Sequence, residues 1–402
     1  MKKIKLSNGL TVVLCKKKSD SVAIHVVVRS GSINEEDKNR GVSHFIEHML
    51  FEGTKNKTAI QIANDIESLG GTLGAYTSAE KTCFYAKVLR KHVNIALDVL
   101  SDIVKNPLFD EKAIEKEREV ILSEVNMKKD EPRFYQWSLF QRTLFKDFPL
   151  KHPVIGYEKT VKSMKRKDLV EYFNEHYVGS NMILLIVGDT DRIEKAVKVA
   201  FAEIPKKISP QLICKKEKIK KSIKVTKEKK PIKQNYIVIG YVAADRTNKE
   251  SYVFDVIQAI LGRGLSGRLF DELRTKRGLG YDVGSHYEDN KMYGFFAAYA
   301  TVEKKNAKLA KDIILKEIQR VDELSEKELR EAKMFIEGGF RLDNEDNTHL
   351  ADTLGQFEHI KDAVMINDYI NNIKKVTIKD VTDVKKKYLK KDNHTMVVLE
   401  QE

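Results

Sequence analysis

Apolar positions along the chain fall first into short β-rich runs and then into helical spacing. Residues 10–14 follow the Asn8-Gly9 turn and VAIHVVV (22–28) precedes Gly31, so the opening predicts a hairpin. Helical spacing follows over 41–52, 59–69 and 93–103, with strand-like runs at 72–76 and 82–88 between the last two. A long charged helix is expected over 111–129. MILLIV (182–187), ending in Gly188, reads as a buried strand and 193–201 as a helix.

Pro205, Pro210 and Pro231 bracket a lysine-rich stretch, which marks the domain boundary and in which Ile219, Ile223 and Val225 fit an edge strand. After it the grammar restarts, with strand 236–241, helices 252–261 and 266–276, strands 281–287 and 294–302, helices 307–324 and 326–340, and a last strand at 395–399. GGTLGAYTSAEKTCFYAKVL, from Gly70, and RGLGYDVGSHYEDNKMYGFFAAYATV, from Arg277, share a Gly-rich turn, a strand, a short charged turn and an aromatic strand. The expectation is two copies of one α+β domain, at 1–205 and 234–402, joined by a connector at 206–233.

Length agrees, since 402 residues exceed the roughly 250 to 300 at which a single core stops growing. With 42% hydrophobic and 33% charged residues the chain reads as globular rather than disordered. The net charge of +13 invites a polyanion, but twelve lysines lie between Lys206 and Lys233 without interleaved aromatic residues, the pattern of a solvated connector. Neither nucleic acid nor a membrane is therefore expected as a partner. Cys15, Cys83 and Cys214 form no C-x-x-C pair, which suits a reducing compartment. The apolar run at 10–15 is too short for a signal peptide, and no segment approaches the ~20 apolar residues of a membrane span. A cytoplasmic location is the expectation.

The chemistry is concentrated in GVSHFIEHMLFEGT. His44, Glu47 and His48 stand in H-x-x-E-H order, at i, i+3 and i+4, so one helix face carries all three. Val42, Phe45, Ile46, Met49 and Leu50 make the other faces apolar. Two imidazoles and a carboxylate on a buried helix need partners, and a bound metal is an arrangement that supplies them. A hydrolytic zinc site takes a third protein ligand and keeps one position open. The charged helix offers candidates in the stripe Ile114, Glu117, Ile121, Glu124, Val125, where two carboxylates seven residues apart interrupt a core-type face. One as ligand and the other as its hydrogen-bonding support would explain both.

Together these residues resemble the pitrilysin or insulysin family, which includes the mitochondrial processing peptidase. The resemblance implies a zinc endopeptidase of the metalloprotease LuxS/MPP-like fold, α+β, with two similar domains, each a largely antiparallel sheet covered by helices. It implies one zinc per chain on His44, His48 and Glu124, with Glu47 as general base and Glu117 as the acid supporting a ligand. In the second half Arg274 and Tyr281 match the family's arginine and tyrosine seven residues apart, with Arg277 a weaker match, and these would contact substrate. Ala75, Tyr76 and Thr77 match the strand to which substrate adds. The family commonly has Asn-Ala before Tyr-Thr, and here Gly74-Ala75 stands instead. Because single-chain members are about twice as long, the resemblance also implies a homodimer around a chamber that admits peptides and unfolded segments, each active site completed by the other subunit. The alternatives are a non-catalytic scaffold, the active member of a heterodimer, and a charge-driven nucleic-acid binder.

Overall fold

In the computed structural model, which describes residues 1–210 and 214–402, the chain divides into two packing units. The first contains Met1–Asn126, 152–210 and Asp343–Val364. Its strands are β1 (Lys2–Lys5), β2 (Thr11–Lys16), β3 (Ser21–Val28), β4 (Thr72–Thr77), β5 (Thr82–Leu89) and β6 (Met182–Gly188), in the order β1-β2-β6-β3-β5-β4. The expected opening hairpin is corrected here. The Asn8-Gly9 turn joins β1 to β2, whereas β2 and β3 are separated by β6, which pairs parallel with β2 and antiparallel with β3. All seven residues of β6 are buried. So apolar a strand is satisfied only in the middle of a sheet, with neighbours on both edges.

One face of this sheet, including Val22, Ile24, Val26, Phe84, Ala86, Leu184 and Ile186, packs into a core with the helices Val42–Met49, Val93–Lys105 and Glu111–Asp130. The other face is covered by the helix Asn347–Ile360, whose Gly355 meets Leu185 and Val27. β4 is the terminal strand. Its Leu73 and Ala75 pack toward the helical core, so alternation turns Gly74 and Tyr76 to the opposite face.

The second unit contains Met127–Lys151, Cys214–Leu342 and Met365–Glu402. Here β7 (Lys224–Lys230), β8 (Asn235–Val242), β9 (Gly280–Asp289), β10 (Gly294–Val302) and β11 (Thr395–Gln401) form the order β7-β11-β8-β10-β9. The β7–β11 pair is parallel, as is β2–β6, and every other pair in both sheets is antiparallel. Five strands of the first sheet, β2-β6-β3-β5-β4, therefore repeat the topology of the second, as the echo between the halves implied. Helices Glu250–Gly262, Ala307–Gln319 and Ile378–Tyr388 contribute to the core on one face, and the helix Pro132–Leu144 packs on β8 and β11.

The two packing units do not run as the contiguous segments 1–205 and 234–402 on either side of a connector at 206–233. Each half of the sequence lends one helical stretch to the other unit, and β7, a terminal strand that contains Val225, is the edge strand expected within the connector. Each lent helix buries one face against its adopted sheet. Pro132–Leu144 buries Gln136, Leu139, Phe140 and Leu144, and Asn347–Ile360 buries Ala351, Leu354 and Phe357. Residues 211–213 of the connector lie outside the described residues. The helix expected at 266–276 is a short helical turn, Arg268–Phe270, widening into a π-helical turn at Asp271–Thr275. No described helix is long and apolar enough to cross a membrane.

Candidate metal centre

The helix Val42–Met49 starts where the chain turns sharply. Gly41 has φ 97°, and a Cβ there would stand 2.7 Å from the Ile155 carbonyl oxygen, so the turn requires glycine. The buried Glu35 carboxylate accepts hydrogen bonds from the backbone amides of Gly41 at 2.8 Å and Ser43 at 2.9 Å, pairing amides that the helix itself leaves unbonded. Burial pushes Glu35 up to about 7 against the pull of those bonds. The hydroxyl of Tyr172 lies 3.0 Å from that of Ser43 and 2.9 Å from that of Ser30, fixing the helix start from a second side. Apolar Phe45, Ile46 and Met49 are buried, which leaves the His44, Glu47 and His48 face toward the glutamate helix and β4.

The helix Glu111–Asp130 is anchored by buried Arg118. Its guanidinium donates to the carbonyls of Val161 and, at 2.9 Å, of Met164, and pairs with Glu115. Ile114, Ile121 and Val125 join the core, and this sets the rotation at which Glu117 and Glu124 face the histidines. His44 Nε2 lies 3.7 Å from Glu124 Oε2, and His48 Nε2 lies 3.8 Å from Glu124 Oε1. One ligand atom from each of the three falls within 4.8 Å of the others. Donors on a four-coordinate zinc, at about 2.0 to 2.1 Å, stand roughly 3.3 Å apart, so this set closes around an ion with small side-chain movements. Two imidazoles and one carboxylate also match the donor types of a hydrolytic zinc site.

Glu117 meets the ring of His48 from behind, with 3.0 Å between its Oε2 and Nδ1. A proton shared there leaves Nε2 with the lone pair a metal needs. Glu47, one residue before His48, accepts from the Thr77 hydroxyl at 2.5 Å. Thr77 ends β4, so the terminal strand is tied directly to the carboxylate between the candidate ligands His44 and His48. Glu124 is partly exposed while His44 is nearly buried, so the site opens to solvent on its glutamate side.

Of the expected substrate residues, Ala75 packs against the core and the Tyr76 hydroxyl donates to Asp352, which also lies 3.6 Å from Lys81 Nζ. Arg274 and Tyr281 lie in the second unit and touch each other. The guanidinium carbon is 4.4 Å from the Tyr281 ring centre, Nη1 is 3.4 Å from the Tyr281 carbonyl oxygen, and Tyr281 is 74% exposed. Arg277 is instead paired with Glu272 at 2.5 Å. Glu35 was not identified from the sequence, because a cap arriving six to eight residues ahead of its amides has no short-range signature.

Residues 11–158 match the family model described as insulinase (peptidase family M16), and residues 163–335 match the one described as the peptidase M16 inactive domain. An uncharacterized zinc protease of Rickettsia felis is 32% identical over 357 residues, covering 88% of this chain and 86% of that protein. The uncharacterized zinc protease YmxG of Bacillus subtilis is 29% identical over 398 residues, covering 98% and 96%. Among solved structures, a protease from Helicobacter pylori superposes with a TM-score of 0.94 at 23% identity, over 99% of both chains.

Proposed function

The chain belongs to the insulinase-type peptidase family M16, and from that premise we propose that it is a zinc-dependent endopeptidase acting on peptides and unfolded polypeptide segments. The observation that carries the proposal is the convergence of His44, His48 and Glu124 with Glu47 held by Thr77 at the end of a terminal strand. His44, His48 and Glu124 would hold one zinc per chain, and zinc when bound supplies Lewis-acid activation of a water and of the scissile carbonyl.

The chain's own groups do the rest. Glu117 orients His48. Glu47, fixed at Oε2 by Thr77, takes the proton of the attacking water and returns it to the leaving amine. The substrate adds along the outer edge of β4, so main-chain hydrogen bonds hold it through residues 75–77 and its sequence is read only lightly. Exposed Tyr281 donates to the oxyanion or adjacent substrate backbone, and Arg274, stacked on its ring, positions the chain. We propose a cytoplasmic homodimer in which Arg274 and Tyr281 of the partner subunit complete each site. Nucleic acid and membrane play no part in this reading.

A non-catalytic scaffold would have no use for an intact donor set with a supported ligand, which favours the catalytic reading. The test is digestion of a mixed pool of unfolded peptides by the purified, zinc-loaded chain, beside a chelated sample. Zinc-dependent cleavage supports the proposal. Zinc binding without cleavage, at concentrations that support a dimer, favours a partner-subunit role.

A further inference from the structure

The side chains of β4 are divided between two faces. Leu73 and Ala75 pack on the core and Thr77 holds Glu47, whereas Tyr76 is bonded to Asp352 on the opposite face. Gly74 shares that opposite face and is paired directly with Tyr85 of β5. Tyr85 leans outward across it, so that a Cβ on residue 74 would stand 2.6 Å from the Tyr85 hydroxyl oxygen. The hydroxyl thus lies over the terminal strand rather than over its own. Its ring is half-buried, 5.4 Å from that of His25, and no described residue hydrogen-bonds its hydroxyl. The hydroxyl oxygen itself keeps some exposure, so it can take a polar partner from outside the fold.

We propose that Tyr85 is a substrate-contacting, specificity-determining residue: its hydroxyl hydrogen-bonds a polar side chain of the peptide paired with β4, at the position beside Gly74 on the face away from the metal centre. This rests on the reading that substrate adds to β4. A strand paired there sets its Cβ about 4.5 to 5.5 Å from the residue opposite, within reach of a hydroxyl that already overlies that residue. Because Gly74 has no side chain, Tyr85 is what such a peptide meets on that face. The enzyme would accordingly favour Ser, Thr, Asn, Gln or a carboxylate at that one position.

Packing alone is the competing explanation, and the second unit shows that it operates. A Cβ on Gly284 of β9 would stand 2.7 Å from the Tyr299 hydroxyl oxygen, in a unit without the histidine pair. A tyrosine stacked over a terminal-strand glycine protects the strand. Tyr85→Phe separates the two roles, since it keeps the ring and removes only the hydroxyl.

The experiment uses full-length, zinc-loaded Glu47→Gln protein, with and without Tyr85→Phe, and two fluorescent unstructured peptides of equal length and charge, one Ser/Gln-rich and one Ala-rich. Fluorescence anisotropy gives Kd. Loss of the hydroxyl should weaken the Ser/Gln-rich peptide by about three- to tenfold, the usual worth of one hydrogen bond, and leave the Ala-rich peptide within twofold. Equal effects on both peptides, or none, overturn the assignment of Tyr85 while leaving the peptidase reading intact. Absence of binding to the Glu47→Gln parent overturns both.

Discussion

His48 lies between two carboxylates: its Nδ1 is hydrogen-bonded to Glu117 Oε2 at 3.0 Å and its Nε2 lies 3.8 Å from Glu124 Oε1. The two carboxylates sit two turns apart on one helix, so a single rigid element both orients the imidazole through Nδ1 and faces its Nε2. Glu117→Gln should therefore retain the fold but weaken zinc binding by about 10- to 100-fold. Competition with a chromophoric chelator measures this, and unchanged affinity would remove Glu117 from its supporting role.

Thr77 couples the terminal strand to Glu47 through a 2.5 Å hydrogen bond. Thr77→Val keeps the shape of the side chain and deletes the donor. We expect kcat to fall by about tenfold, since a hydrogen bond to a charged group is worth roughly 1.5 to 3 kcal/mol and only part of it is felt in the rate. Metal content should not change.

The helix Pro132–Leu144 belongs to the second unit because its apolar face fits that sheet. Phe140 is fully buried, with its ring edge where a Cβ on Gly240 would stand. Phe140→Ala should lower stability by about 3 to 5 kcal/mol, read as a shift of the urea midpoint. A shift near zero would mean that the helix is not integral to that unit.

Much of this organisation was legible in the sequence. The H-x-x-E-H helix, Glu117, Glu124 and nearly every strand follow from local spacing, because a buried helix face or a strand writes its periodicity over a few neighbouring residues. What was not legible depends on distant pairing. Nothing near MILLIV says that β6 inserts between β2 and β3. Nothing in PRFYQWSLFQRTL says that its apolar face serves the second sheet. The Glu35 cap and the Tyr85–Gly74 pairing likewise exist only once separate segments meet. Candidate site residues on a single helix were thus readable, and the groups that support them from other strands and loops were not.

Two buried histidines make stability depend on pH. Burial holds His25 and His176 down at about 4, below the ordinary value near 6.5 that each regains on unfolding. The native state therefore resists their protonation, and the stability tied to neutral rings is fully present above about pH 6.5 and is lost as pH falls toward 4. The melting temperature should drop across that window, and less steeply in His176→Gln than in the wild type. Parallel profiles would show that His176 carries no such linkage.

The most direct measurement is cleavage of an unfolded-peptide pool by purified wild type and Glu47→Gln, with zinc determined on both samples. If Glu47 is the base beside a zinc held by His44, His48 and Glu124, both proteins carry about one zinc per chain, only the wild type cuts, and a chelator stops it. Cleavage by zinc-loaded Glu47→Gln at the wild-type rate, or wild-type cleavage that survives removal of the metal, would contradict that assignment.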